Sequence, residues 1–367
     1  MSRMSIEEKF KKLDMSILDK KVTINQVKNV LGKDYLNLED FAILLSEKAK
    51  ICLEEMAKRA HEESVRNFGK TIQLYTPLYL GNHCVNKCIY CAFNSEHSIK
   101  RKTLELDEIK AECEKIARSG LQDILLLTGE SRKHTGLNYI KQAVKVAKEY
   151  FSSVSVEIYP LEELEYKDLI QAGVSGLTIY QETYCESSYK ELHLKGPKTN
   201  YQHRLNTPER GAKAGMYAIN IGVLLGLSNI KNDVYKLAAH LTYLMHVYPG
   251  VEWGLSLPRI QKIENAVFES IEITDKQYLQ ILLAFRLCFP RISINLSTRE
   301  NSILRNHLLS LGITKMSAGV KTSVGESKKG DGSTAQFEIS DTRSVEEISN
   351  MITCAGYQII YKDWVSI

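Results

Sequence analysis

The stretch Thr71-Ile72-Gln73-Leu74-Tyr75-Thr76-Pro77-Leu78-Tyr79-Leu80, followed closely by Cys84-Val85-Asn86-Lys87-Cys88-Ile89-Tyr90-Cys91, decides the fold. The first part is a strand-like run, and the second puts three cysteines on one short loop at the spacing C-x3-C-x2-C. Three thiolates so placed can hold a [4Fe–4S] cluster by three irons and leave the fourth iron open, whereas such clusters normally take four cysteines. The rival reading is a tetrahedral zinc site with His83 as fourth ligand. Structural zinc sites usually combine two knuckles separated in sequence, and no second C-x2-C or H-x3-H pair occurs in this chain.

From Thr71 onward, short apolar runs alternate with amphipathic helical patterns, the sign of repeated βα units. The runs predict strands over Ile72–Leu80, Asp123–Leu127, Ser155–Tyr159, Gly176–Tyr180, Ala218–Val223, Glu252–Leu257, Ser293–Leu296 and Thr314–Ser317. Helices are expected between them over Asp107–Arg118, Leu137–Tyr150, Thr207–Ala214, Asn232–His246 and Asp275–Cys288. Ser119-Gly120, Ala172-Gly173 and Ala214-Gly215 are read as helix stops, with glycine in the left-handed C′ position. The fold class is therefore α/β, a (β/α)8 TIM-type barrel with an N-terminal helical extension. Residues 1–70 form the extension, 71–320 the barrel, and 321–367 a C-terminal loop and closing segment. Active sites of such barrels lie at the C-terminal ends of the strands.

The 367 residues, 44% hydrophobic and 25% charged with net charge +4, suit a soluble globular protein. No run reaches the 18 apolar residues of a membrane span, and no leader-like segment opens the chain. Positive charge is spread without a basic stripe, so nucleic acid is not an expected partner, and Lys100-Arg101-Lys102 is read as solvated surface. Cys52, Cys113, Cys185, Cys288 and Cys354 lack paired spacing and are read as buried free thiols in a reducing, cytoplasmic setting. The polar, glycine-rich Glu326–Thr334 segment is expected to be a loop near the barrel mouth, and the spacing of a phosphate cradle is missing from it.

The cysteine spacing, with an aromatic before the last cysteine, resembles the radical S-adenosylmethionine (SAM) superfamily. Thr128-Gly129-Glu130, after the second strand, is similar to that superfamily's Gly-Gly-Glu motif, whose backbone receives the SAM amino group. The resemblance implies that Tyr90 contacts adenine; otherwise it fills the barrel mouth. Glu157, Gln181 and Glu182, polar at strand ends, are candidate contacts to SAM ribose or methionine, or else barrel-mouth salt links. Among Lys198, His203 and Arg204, the last is favoured for the SAM carboxylate, because guanidinium binds carboxylate in a two-pronged way.

Further motifs resemble the aromatic-amino-acid lyase group, and within it the 2-iminoacetate synthase (tyrosine lyase) family. They are Tyr180-Gln181-Glu182-Thr183-Tyr184, His193 to Lys198, Arg204 to Arg210, Gly222 to Leu227, Ser256-Leu257-Pro258-Arg259, Leu296-Ser297-Thr298-Arg299-Glu300, Met316 to Gly319 and Lys362-Asp363-Trp364. This family cleaves the Cα–Cβ bond of L-tyrosine, giving 2-iminoacetate for the thiazole of thiamine, and 4-cresol. The implied cofactors are a [4Fe–4S] cluster on Cys84, Cys88 and Cys91, and SAM. The implied partners are a thiazole synthase and a flavodoxin or ferredoxin type reductant. No catalytic side chain is assigned beyond the cluster ligands. For the substrate, Arg299 is the natural carboxylate partner, with Arg259, Ser297 and Glu300 beside it; the alternative is a buried Arg–Glu pair bracing the barrel. Other readings remain open here: a lyase acting on tryptophan, or a non-catalytic iron–sulfur assembly protein. The related hydrogenase-maturation lyase carries a second C-x2-C cluster site, and Cys354 stands alone, so that activity is not expected.

Overall fold

The computed structural model describes residues 4–261, 268–325 and 333–361. Eight parallel strands close into a barrel: β1 (Thr71–Gly81), β2 (Asp123–Thr128), β3 (Ser153–Glu157), β4 (Gly176–Glu182), β5 (Ala218–Val223), β6 (Glu252–Ser256), β7 (Ser293–Leu296) and β8 (Lys315–Ser317). The order runs β2 through β8 to β1, and β1 pairs back onto β2. A ninth strand, β9 (Gln358–Ile360), pairs in parallel with Thr71–Gln73 at the start of β1. All eight predicted strands are present. The largest displacement is at β3, which begins at Ser153 and ends at Glu157.

The strands alternate, as pleated backbone requires. In β3, Val154 and Val156 are fully buried against the outer helices, while Ser153, Ser155 and Glu157 occupy the other face. That face carries polar groups around the whole lumen, including Ser155, Thr178, Asn220, Asn295 and Lys315. Helices between the strands stop where expected: Gly173 has φ +113° and Gly215 φ +94°, left-handed values that glycine adopts without a Cβ clash.

The helices before β1 share the barrel's hydrophobic core. Phe41 lies against Phe285 with ring centres 4.8 Å apart. Gln280 Nε2 donates to the carbonyls of Leu44 (2.8 Å) and Ser46 (2.9 Å), and Phe10 meets Tyr184 edge to face. One expectation is corrected: of the five thiols read as buried, Cys52 and Cys113 are, whereas Cys185 and Cys288 are partly exposed and Cys354 is exposed. Most of Glu326–Thr334 and all of Lys362-Asp363-Trp364 lie outside the described residues. No described helix is long and apolar enough to cross a membrane.

Candidate radical SAM active site

The loop after β1 is held by main-chain contacts and by one cation. Arg101 Nη1 donates to the carbonyls of Asn82 (2.7 Å) and Phe93 (2.8 Å), and Nη2 to that of Asn94 (2.6 Å). Such charge-assisted bonds contribute about 1.5–3 kcal/mol each, so Arg101 clamps both ends of the cysteine loop. This corrects its reading as solvated surface; the carbonyls it binds leave no mark in a local sequence pattern. Asn94 Nδ2 adds a bond to Cys88 O at 3.2 Å.

Two further segments press onto the loop. At Gly129 an added Cβ would fall 2.4 Å from His83 O, so only glycine lets the end of β2 approach this closely. Val85 N donates to Glu130 O (2.8 Å), and Asn86 Nδ2 to Glu130 Oε2 (2.5 Å). From the other side, Lys87 N donates to Lys195 O, Ile89 N to Leu192 O, and Lys198 N to Asn86 Oδ1. Gly196 has φ +91°, and a Cβ there would lie 2.3 Å from Asn86 Oδ1. The cysteine loop, Thr128-Gly129-Glu130 and residues 192–198 thus form one interlocked unit.

Burial pushes the Cys88 thiol up to about 12, with Cys91 and Cys84 adding to the rise and Lys198 opposing it. Cys91 is raised for the same reasons, burial first and then Cys84. Thiolates so crowded need a cation to stabilise them, which bound iron provides. Among the described residues no three His, Cys, Asp or Glu side chains are arranged round a point that one metal ion could occupy. A cubane, taking one iron per thiolate, suits three cysteines spread along a loop better than a single zinc does. His83 is instead stacked on His134, 3.8 Å between ring centres.

Beside Cys91 the lumen opens into a cavity lined by Tyr75, Tyr79, Tyr90, Glu157, Tyr180, Glu182, Lys198, Ser297, Arg299, Ser317 and Phe337 among others. Glu182 is its charge hub. Lys198 Nζ lies 2.7 Å from Glu182 Oε1, and Arg204 Nη2 lies 3.1 Å from it. Burial opposes the Glu182 charge, yet the two cations outweigh it and hold the carboxyl below its usual range. Glu182 is also the one residue other than glycine with positive φ (+71°) among the described residues, a strain expected at a functional site. The Asp233 carboxylate fixes the turn that follows by accepting from Thr183 Oγ1, Tyr184 N and Ser228 Oγ.

Tyr90 is buried, its hydroxyl 2.7 Å from His193 Nε2. His193 Nδ1 lies 2.7 Å from Tyr189 O, and burial lowers this imidazole to about 3. A neutral ring with Nδ1–H donating to the carbonyl leaves Nε2 to accept from Tyr90. Arg204 Nε donates to Tyr180 O at 2.6 Å; with Nη2 on Glu182, only Nη1 has no hydrogen bond among the described residues. Thr128 Oγ1 and both amide atoms of Gln181 are buried without partners. Gln181 does not line the cavity; its neighbours Tyr180 and Glu182 do.

At the far wall, Arg299 stacks on Phe337, with Cζ 3.5 Å from the ring centre, and makes no ion pair among the described residues. Ser297 stands next to it, its Oγ accepting from Arg299 N at 3.4 Å. Arg259 and Glu300 form the bracing pair: Arg259 Nε reaches both Glu300 oxygens (2.9 and 3.1 Å), and Nη1 reaches Asp275 (2.8 Å) and Ile273 O. Neither lines the cavity, and their pairing is the bracing arrangement that the sequence offered as the alternative reading. Sequence reasoning missed Asn86, His193 and Phe337. Phe337 belongs to a segment laid over the barrel mouth, anchored by Ser340 N on Thr298 O (2.9 Å) and by Tyr79 Oη on Gln336 Oε1 (2.7 Å).

Residues 78–238 match the model of the Radical SAM superfamily, and residues 256–358 that of the Biotin and Thiamin Synthesis associated domain. The 2-iminoacetate synthase of Salmonella typhimurium is 37% identical over 345 residues, covering 94% of this chain and 92% of that one. The chain belongs to the 2-iminoacetate synthase family. The 2-iminoacetate synthase of Escherichia coli is similar to the same extent, 37% over 345 residues. The FeFe-hydrogenase maturase HydG from Carboxydothermus hydrogenoformans has the same architecture, with TM-score 0.88 and 30% identity, covering 98% of this chain and 84% of that chain. As a radical SAM enzyme of the 2-iminoacetate synthase family, the protein uses a [4Fe–4S] cluster and SAM. The thiols confined to one clamped loop and the unpartnered Thr128 and Gln181 atoms suit those groups.

Proposed function

We propose that this protein cleaves the Cα–Cβ bond of L-tyrosine to 2-iminoacetate and 4-cresol, supplying the thiazole moiety of thiamine. The observation that carries the substrate assignment is Arg299. A guanidinium in a lumen lined by protein is rarely left without a counter-charge, and this one stands open to a cavity bounded by Tyr90 and Cys91. Its fork suits the substrate carboxylate, with Ser297 alongside, while Tyr75, Tyr79 and Tyr180 wall the space where a phenol would lie.

Cys84, Cys88 and Cys91 would hold the cluster, which would supply one-electron reductive cleavage of SAM. The remaining roles fall to this chain's own residues. Gly129 and the backbone of Thr128 to Glu130 offer the seat for the SAM amino group. Tyr90, fixed by His193, presents its ring beside the cluster loop. Arg204 Nη1 is available to the SAM carboxylate. The closed barrel and the Gln336-Phe337 cover keep water from the radical, as cofactor enzymes require.

Residues 1–70 serve as a bracing extension of the barrel at 71–320, and 321–367 as its closing segment. A flavodoxin or ferredoxin type protein donates the electron. The imine product hydrolyses in water, which favours direct hand-over to a thiazole synthase partner. The test is substrate choice after anaerobic cluster reconstitution. Tyrosine should raise 5′-deoxyadenosine formation several-fold above the amino-acid-free rate, and tryptophan should not. Stimulation by tryptophan alone would reassign the substrate.

A further inference from the structure

The cavity charges divide into spent and unspent. Glu182 is committed to Lys198 and Arg204. Arg299 and Glu157 have no ion-pair partner among the described residues, and they do not reach each other, although both line the cavity. Glu157 is the last residue of β3, level with Leu127 of β2, and continues the lumen-facing row of Ser153 and Ser155. One open cation and one open carboxyl on the walls of a single lumen match the two charged ends of an α-amino acid.

Resting on the tyrosine-lyase reading, in which Arg299 holds the substrate carboxylate, we propose that Glu157 accepts the proton of the substrate ammonium, so that the nitrogen enters the radical step as a neutral amine. A carboxylate oxygen of Glu157 forms an O–H bond and one N–H bond breaks heterolytically. The electron pair stays on nitrogen, and no oxidant or reductant takes part. The transfer matters because hydrogen-atom loss from a neutral amine leaves an uncharged aminyl nitrogen. The same loss from an ammonium would leave a cation in a lumen that already holds Arg299 and Lys198. Glu157 is thereby assigned to the substrate and not to SAM.

The titration state of the carboxyl agrees with this role. Burial, then the Glu182 charge, push Glu157 up to about 7, against the opposing pull of Arg299, Arg204 and Lys198. A general base is most effective with its pKa near the working pH. The tyrosine hydroxyls on the same walls, Tyr75, Tyr79 and Tyr180, are raised by burial and stay protonated, and His193 is neutral.

The experiment compares the reconstituted protein with its Glu157→Gln and Glu157→Asp variants, reading 4-cresol formation from pH 5.5 to 9 and SAM affinity by equilibrium dialysis. Wild type should show kcat/KM falling as pH drops through about 7. Glu157→Gln should lose about 10²-fold or more in kcat/KM and lose that limb, while Glu157→Asp restores the limb. An active Gln variant with the limb intact would overturn the proposal, and so would a Gln variant whose rate loss follows a matching loss of SAM affinity. Wild-type turnover at pH 8 separates the two readings: cresol there with an unaffected Gln variant removes Glu157 alone, and no cresol removes the lyase reading and this one with it.

Discussion

Arg299 Cζ lies 3.5 Å from the ring centre of Phe337, so the guanidinium rests on an aromatic face in the wall of the cavity that both residues line. Stacking of this kind uses the planarity that lysine lacks. Arg299→Lys should therefore raise the Michaelis constant for tyrosine by roughly tenfold or more, through loss of the two-pronged bond. Affinity for SAM should change far less. Steady-state kinetics of cresol release, with SAM binding measured in parallel, would show this, and equal losses for both ligands would take Arg299 out of the substrate site.

Cys84→Ala, Cys88→Ala and Cys91→Ala should each abolish the iron–sulfur absorption band and SAM cleavage. Cys354→Ala should keep both, since Cys354 is exposed and distant in sequence from the loop. Iron and sulfide content per chain, measured after reconstitution, is the check.

Arg101→Met removes the donors that tie Asn82, Phe93 and Asn94 together while keeping much of the side chain's bulk. The expected result is a chain that folds but loses its cluster several-fold faster to a chelator. Unchanged iron release would show that the main-chain contacts to Glu130 and residues 192–198 suffice.

Arg305 is fully buried, paired with Asp341 and bonded to the Ser317 carbonyl. Removing one partner of such a pair costs about 3–5 kcal/mol, because the other charge stays buried. Asp341→Asn should lower the denaturation midpoint accordingly. The Asp341 carboxyl is held down at about 2: burial opposes its ionisation, and Arg343 and Arg305 outweigh the burial. Its folded pKa lies below the unfolded value of 3.8, so its stabilisation is present above pH 4 and is lost as pH falls toward 2. Stability of the Asn variant should be flatter over that window.

The barrel was legible because each strand announces itself locally. Ala218–Val223 and Ser293–Leu296 are observed with the predicted bounds, since apolar runs bounded by glycine and charged helices leave little choice. Glu157 was also readable as a polar residue at a strand end. What the sequence could not decide was which partner each charge takes: Arg101 binds the carbonyls of its own loop, and for Arg259 with Glu300 and Glu182 with Lys198 the salt link was only one of two readings. Charge type is local information, whereas the partner of a charge is set by tertiary packing. Arg259 and Arg299 look alike in sequence, both following a serine-containing strand end, yet one is tied to Glu300 and the other faces the cavity. Phe337 was missed for a related reason. A single aromatic in a polar segment carries no period that would place it over a barrel mouth.

The most direct test of the account is to supply the anaerobically reconstituted protein with SAM, a one-electron reductant and tyrosine labelled in its side chain, and to follow labelled 4-cresol together with 5′-deoxyadenosine. The account predicts both products in near-equal amounts, with glyoxylate appearing as the imine hydrolyses. Deoxyadenosine formed at the full rate without any labelled cresol would contradict it.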